Sequence, residues 1–281
     1  MSDEFLTSSE YGRILGVIKK ELRKQIVATN RVIKLRLFLY YQEAYGKVIL
    51  GNIDLLWMKL QDAINRAIKE KQIQVYKSSK QSAWFTLPEF TEGEKRKAFQ
   101  DKKIVFEKWI NLSSSVGFWF EKIVRDAFRK EGYTVNDSKV KFKWDRQGIE
   151  IDVYTINPFH LAIEVKNKFS DVIYAPTMIT ERNLNEDHKQ IKNFFKFCYS
   201  KDITPILIAS LVDKSFQGFQ AEYKGLFYRT YFQFFPKEHE QLCKDVKEKL
   251  RIGHVKAIDE PPESLRRWIR SIPNYLSRYN V

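Results

Sequence analysis

Residues 148–168, GIEIDVYTINPFHLAIEVKNK, constrain this chain more than any other stretch. Ile149, Ile151 and Val153 alternate with Glu150, Asp152 and Tyr154, and Ile163 and Val165 alternate with Glu164 and Lys166. A period of two sends successive side chains to opposite faces of a strand, so the stretch predicts two adjacent strands. Asn157-Pro158 between them is a turn signal, because proline fixes φ and drives its neighbour out of helical conformation. Paired as a hairpin with like faces aligned, the strands gather Glu150, Asp152, Glu164 and Lys166 on one surface. Carboxylates that close repel one another unless a cation sits among them, and a metal site is therefore expected. The alternative is a wet strand face, where a cross-strand Asp–Lys pair adds well under ~1 kcal/mol. Against it stands TPILIASL at 204–211, a continuous apolar run of the kind that forms a central strand covered on both faces. A sheet holding such a strand is internal, and charges buried there need partners.

The same residues carry a family resemblance. Asp152 followed by Glu164-x-Lys166 resembles the PD-(D/E)xK nuclease superfamily and its restriction-endonuclease-like fold. Upstream, Gly117-x-x-x-Glu121 is similar to the G-x-x-x-E helix motif of many members. Downstream, Gln190-x-x-x-Phe194 is similar to the Q-x-x-x-Y motif of the RecB-like branch, with Phe in place of Tyr. The resemblance spans about residues 102–235. It implies Asp152 and Glu164 as shared Mg²⁺ ligands, with the Val165 backbone carbonyl beside them and Mn²⁺ able to substitute. It implies that Glu121 reaches in from its helix to a second ion or its water. Lys166 would orient the attacking water or stabilise the phosphorane, and Gln190 would position Lys166 or the scissile phosphate. Such sites hydrolyse phosphodiesters with metal ions that activate water and neutralise developing charge.

Composition agrees with a nucleic-acid partner. Forty-nine Lys and Arg against 35 Asp and Glu leave a formal charge of +14, an excess that most often marks a polyanion partner, DNA or RNA first and an anionic membrane surface second. A merely basic, Lys- and Glu-rich thermophilic chain has the same composition. Two cysteines without a signal peptide point to a reducing, cytoplasmic setting. They are too few for the four-cysteine iron–sulfur cluster of some RecB-like nucleases, and Cys/His spacing for zinc is absent. No apolar stretch reaches the length of a membrane span. The absence of a glycine-rich phosphate loop argues against a nucleotide cofactor. His160 and His188 read as structural.

At 281 residues and 43% apolar content the chain has room for one large domain or two ordinary ones. The expected organisation is a helical domain over 1–90, a linking helix over 91–112 and a nuclease domain over 113–281 with a C-terminal helical tail. In the first part, helices near 8–28, 31–44 and 54–71 precede short strands at 73–76 and 83–87. Three helices followed by a hairpin resemble the winged-helix order. On that reading helix 54–71, with Lys59, Arg66 and Lys69, enters a DNA groove, and Lys77 and Lys80 on the wing touch phosphate. The alternative is a packing or dimerisation domain whose lysines are solvated. Thr91-x-x-Glu94 is a capping box. Ser113 to Ser115 are expected to cap a separate helix over 116–131 that Gly132 ends at C′. Gly117 inside that helix suggests close approach of another backbone. An irregular segment over 169–185, a helix over 187–199, a strand over 225–235 and helices near 238–251 and 263–272 complete the chain. Arg266, Arg267 and Arg270 suit a phosphate or dimer contact, or a solvated face.

The fold class expected is therefore α/β: a restriction-endonuclease-like mixed sheet flanked by helices, after a mainly helical, winged-helix-like domain. The function expected is that of a metal-dependent DNA endonuclease, with a homodimer common where both strands are cut. The alternative is a non-catalytic DNA-binding protein on a nuclease-like scaffold.

Overall fold

Thr7 opens helix α1 (Ser8–Gln25) with a capping box: its hydroxyl accepts from the Glu10 amide at 3.2 Å, and its own amide donates to the Glu10 carboxylate at 3.1 Å. The computed structural model describes residues 6–45, 53–78, 82–144, 147–167, 186–210 and 222–279. They form a mixed α/β protein. The chain divides into two units, Met1–Ile110 with Lys244–Gly253, and Asn111–Cys243 with His254–Val281.

In the first unit α1 ends at Ile26, whose φ of 64° turns the chain into β1 (Val27–Thr29). The sequence reading ran the helix to about residue 28, because three buried residues are too short to break its apolar period. Helices α2 (Asn30–Tyr45) and α3 (Ile53–Lys69) follow, then β2 (Gln74–Ser78) and β3 (Ala83–Thr86). The three strands form an antiparallel sheet in the order β1-β3-β2. Ile14, Ile18 and Leu22 of α1 are buried at helical spacing, along with Leu37, Phe38, Leu60 and Ile64.

Helix α4 (Glu92–Lys130) opens on the expected Thr91–Glu94 box, with Thr91 N donating to Glu94 at 2.8 Å. It runs straight through Ser113 to Ser115, which were expected to start a new helix. A serine in mid-helix keeps its hydroxyl satisfied by bonding back to the preceding turn, as Ser115 does to the Leu112 carbonyl at 2.9 Å. Gly132, at φ 86°, then stops the helix as expected.

The second unit is built on a five-stranded mixed sheet in the order β10-β9-β8-β7-β4. Its strands are β4 (Thr134–Val135), β7 (Val153–Asn157), β8 (Leu161–Lys166), β9 (Thr204–Ala209) and β10 (Leu226–Arg229). Beside it β5 (Val140–Trp144) and β6 (Gln147–Ile151) form a separate antiparallel hairpin. Helix α5 (Glu186–Ser200) connects β8 to β9, which pair in parallel. The later half of α4 covers one face through Phe120, Val124 and Phe128, packed with Ile163, Val165, Ile206 and Ile208. On the other face α5 packs Phe194, Phe195 and Cys198 with Ala162, Leu207 and Ala209. The TPILIA strand is thus buried on both sides, which explains why its apolar residues do not alternate.

The strand expected over 225–235 is two: β10 and β11 (Gln233–Phe235), separated where Tyr231 takes φ 61° and Thr230 Oγ1 donates to the Phe232 carbonyl at 2.7 Å. Helix α6 (Glu240–Lys249), strand β12 (Val255–Ala257, parallel to β11) and helix α7 (Glu263–Tyr279) end the chain. The expected stop at 272 does not occur, since Pro273 lies inside α7 and Leu276 beyond it still packs on the core. Among the described residues no helix is long and apolar enough to cross a membrane. The segment expected over 169–185 lies outside the described residues.

Lys102 of α4 is buried in the first unit. Its ammonium donates to the carbonyls of Gln25 and Val27, the latter at 3.0 Å. Burial lowers its pKa from 10.5 to about 8, against the opposing pull of Glu21. Between those two values the unfolded chain holds a proton that the folded chain has released, so stability rises with pH across that window. Lys102→Met abolishes this slope. In urea unfolding of both proteins, wild type is expected to gain about 2 kcal/mol relative to the variant as pH rises through the window.

Candidate functional site

The main-sheet hairpin pairs Val153 with Ile163, Tyr154 with Ala162 and Thr155 with Leu161. One residue earlier the chain leaves this ladder, and Ile151 instead pairs with Val140 in the β5–β6 hairpin. Asp152 lies in neither ladder. Divergence there orphans two backbone groups, and side chains satisfy both. The Val165 amide donates to Asp152 Oδ2 at 2.9 Å, and Arg125 of α4 donates to the Asp152 carbonyl at 2.9 Å. The carboxylate is therefore fixed at the point where the two sheets part.

Glu164 on β8 is only 1% exposed. Its Oε1 lies 2.8 Å from Lys166 Nζ and accepts from Gln190 Nε2 at 3.1 Å, while Lys166 Nζ donates to Gln190 Oε1 at 3.4 Å. Glu121 comes from α4. Lys139, just before β5, places its Nζ 2.7 Å from Asp152 Oδ1, 3.1 Å from Glu121 Oε1 and 3.3 Å from Glu150 Oε1. The same ammonium lies 5.0 Å from the centre of the Phe118 ring, and Phe118 is 68% exposed one turn before Glu121.

The electrostatics follow from burial and crowding. Burial, then the nearby Asp152 charge, raises both Glu164 and Glu121 above the usual carboxylate range. Glu150 feels a smaller burial penalty, and hydrogen bonds from Lys139 and Lys141 outweigh it to leave Glu150 lowered. Burial pulls Lys139 down, but its hydrogen bonds and attraction to Asp152 and Glu121 overcome that and hold it firmly protonated.

The structure thus brings together Glu121, Asp152, Glu164, Lys166 and Gln190, with Val165 joined through its amide. Glu150 does not share the sheet face of Glu164 as expected: it sits on the separate hairpin opposite Lys141. Sequence reasoning missed Lys139 and Arg125. Neither has a spacing that marks it among 49 basic residues. Among the described residues no three His, Cys, Asp or Glu side chains form a ready metal cage. Mg²⁺ does not require one, since it keeps most of its waters and takes one or two carboxylates. Buried Asp152 and Glu164 are hard oxygen donors of that kind.

In the first unit, Lys59 is 2.6 Å from Glu10, and Arg66 is 2.9 Å from Glu70 with its guanidinium 4.2 Å over Tyr11. Both are engaged within that unit, bracing α3 against α1. Lys69 and Lys77 are exposed, and Lys80 lies outside the described residues. Arg266 and Arg270 clamp Glu131 at 2.7 and 3.2 Å. His160 faces Tyr154, and the His188 side chain lies outside the described residues.

No family model, curated protein or solved structure matches the chain.

A Cβ at Gly117 would meet nothing within 4 Å, so the close backbone approach expected there is not present among the described residues. Gly117→Ala is accordingly expected to stabilise by about 0.5–1 kcal/mol in chemical denaturation. Lys139→Met leaves three carboxylates with too little positive charge and is expected to destabilise by about 2–3 kcal/mol in the same assay, with Lys139→Arg recovering most of the loss.

Proposed function

We propose that this chain is a metal-dependent endonuclease that hydrolyses phosphodiester bonds in DNA. The observation that carries this reading is Asp152, held by the Val165 amide where the strands part, next to the mutually bonded Glu164, Lys166 and Gln190. That arrangement agrees with the PD-(D/E)xK pattern and with a restriction-endonuclease-like sheet flanked by α4 and α5. Asp152 and Glu164, with the Val165 carbonyl, would hold Mg²⁺, or Mn²⁺ in its place. The ion would supply Lewis acidity at the phosphate and a water of lowered pKa. Lys166, held by Glu164 and Gln190, presents an ammonium that orients the attacking water and offsets charge developing on the phosphate. Gln190 keeps that ammonium in place. Glu121 contributes a further acceptor from α4. In the first unit the order α1, β1, α2, α3, β2, β3 with sheet order β1-β3-β2 supports a winged-helix-like DNA-gripping role, carried by the exposed Lys69 and Lys77.

One observation favours a second reading, a DNA-binding protein without catalysis: Lys139 already supplies a cation to Asp152, Glu121 and Glu150. A cleavage panel of supercoiled plasmid, linear duplex, single strand and four-way junction, with Mg²⁺, Mn²⁺ or EDTA, separates the two. Cleavage is expected with either metal and not in EDTA, and Asp152→Ala and Lys166→Ala are each expected to reduce it at least about a hundredfold. Salt-sensitive binding without cleavage, unchanged in both variants, would establish the second reading instead.

A further inference from the structure

Beside Glu164 and Gln190 lies a pocket of about 540 Å³ whose remaining lining residues have no part in the proposed chemistry. Trp144 and Gly148 of the β5–β6 hairpin form one wall, and Lys189, Asn193 and Lys196 of α5 form the other, with Glu164 at its inner end. Lys189, Asn193 and Lys196 are spaced to share one face of a helix. Among the described residues neither Lys189 nor Lys196 has a carboxylate partner, whereas Glu164 is paired with Lys166, and Glu150 with Lys139 and Lys141. Trp144 is half-buried and edge-on to Phe197, with ring centroids 6.1 Å apart, so the indole is braced while it lines the pocket.

An aromatic wall, an amide and two ammonium groups are the components of a nucleotide site: the ring stacks on a base and the cations take phosphate. The volume falls within the range of small-ligand pockets and is ample for one nucleotide. A base inside a duplex is already stacked and paired, so only an unstacked one can enter a concave pocket. The side-chain amides that α5 gives to the pocket are Asn193 and Gln190, and Gln190 is held by Glu164. With the carboxylates and Gln190 engaged in pairs of their own, stacking on Trp144 is favoured over reading of base identity. Resting on the nuclease reading above, we propose that this pocket receives one unpaired nucleotide of the substrate strand next to the reacting phosphate, its base against Trp144 and its backbone against Lys189 and Lys196. The enzyme then acts on strands with an unpaired base at the cleavage position, in any base sequence, in preference to regular duplex.

Binding in EDTA tests this separately from cleavage. Fluorescence anisotropy would compare a labelled single strand, a duplex with a one-nucleotide bulge and the fully paired duplex, using wild type, Trp144→Leu, Trp144→Phe, Lys196→Ala and Asp152→Asn. Wild type is expected to prefer the single strand and the bulge over the paired duplex by about tenfold or more. Trp144→Leu should lose about tenfold on the first two only, with Trp144→Phe recovering most of it. Lys196→Ala, an exposed position that leaves the fold intact, should weaken the same two ligands severalfold. Equal binding of all three ligands by wild type, or no effect of either Trp144→Leu or Lys196→Ala, overturns the pocket. So does competition by a free mononucleotide as strong as that by the single strand, which would make the pocket a small-molecule site. Asp152→Asn, whose amide oxygen can still accept from the Val165 amide, should bind like wild type yet not cleave. A loss of the unpaired-base preference in Trp144→Leu, together with no metal-dependent cleavage by wild type, would support the pocket while removing the nuclease reading.

Discussion

The hydrogen bond from the Val165 amide to the Asp152 carboxylate ties the bend between the five-stranded sheet and the β5–β6 hairpin to β8. A strand cannot leave a ladder inside a protein without abandoning an amide or a carbonyl, each costly when buried unpaired. Here the carboxylate replaces the lost backbone acceptor for Val165, and Arg125 replaces the lost donor for the Asp152 carbonyl. One residue thus ends the β7–β8 ladder and starts the β5–β6 hairpin. Glu164 stays buried on the α5 face of β8, bonded to Gln190, and Lys139 approaches Asp152 from beside the hairpin. Asp152 is both the structural joint and the most central charge, so geometry and chemistry are not separable at this position.

That centrality sets the charge balance. Glu121, Glu150, Asp152 and Glu164 converge, and among the described residues Lys139, Lys141 and Lys166 are the ammonium groups paired with them. The lysines do not fully compensate: Glu121 and Glu164 remain raised, burial first and Asp152 second. A buried group of carboxylates held short of neutrality has a standing affinity for further positive charge. The same physics explains why Lys139 is held firmly protonated, because releasing its proton would leave the carboxylates unopposed.

The parts of this fold that were legible in the sequence rest on local rules. The Thr91–Glu94 box, Gly132 at a helix end and the continuous apolar run of β9 each follow from one residue's neighbours. The site residues were legible as a set because strand alternation and motif order place them together. What was not legible depended on tertiary partners. Period-two alternation runs unbroken through Asp152, so the switch between sheets leaves no local mark. Ser113 to Ser115 look like a cap until the helix on both sides is held by packing, and Pro273 looks like a stop until Leu276 is seen to pack beyond it. Lys139 acquires its role only from three carboxylates on α4, β6 and the bend at Asp152, each distant in sequence.

Net charge gives a partner class but not a place, and pairing supplies the place. The basic residues of α3 looked like the natural DNA contact, yet Lys59 and Arg66 neutralise Glu10 and Glu70, and a cation so engaged releases few counterions when a phosphate approaches. Arg266 and Arg270 are similarly bound to Glu131. Lys189 and Lys196 differ: they are exposed, share a helix face and line a pocket whose inner end is Glu164. Under the proposed nuclease reading, cations beside a braced aromatic ring are where a phosphodiester strand would gain most from each contact. Lys59 and Arg66 therefore serve the packing of the first unit, whereas Lys189 and Lys196 line the pocket of the second.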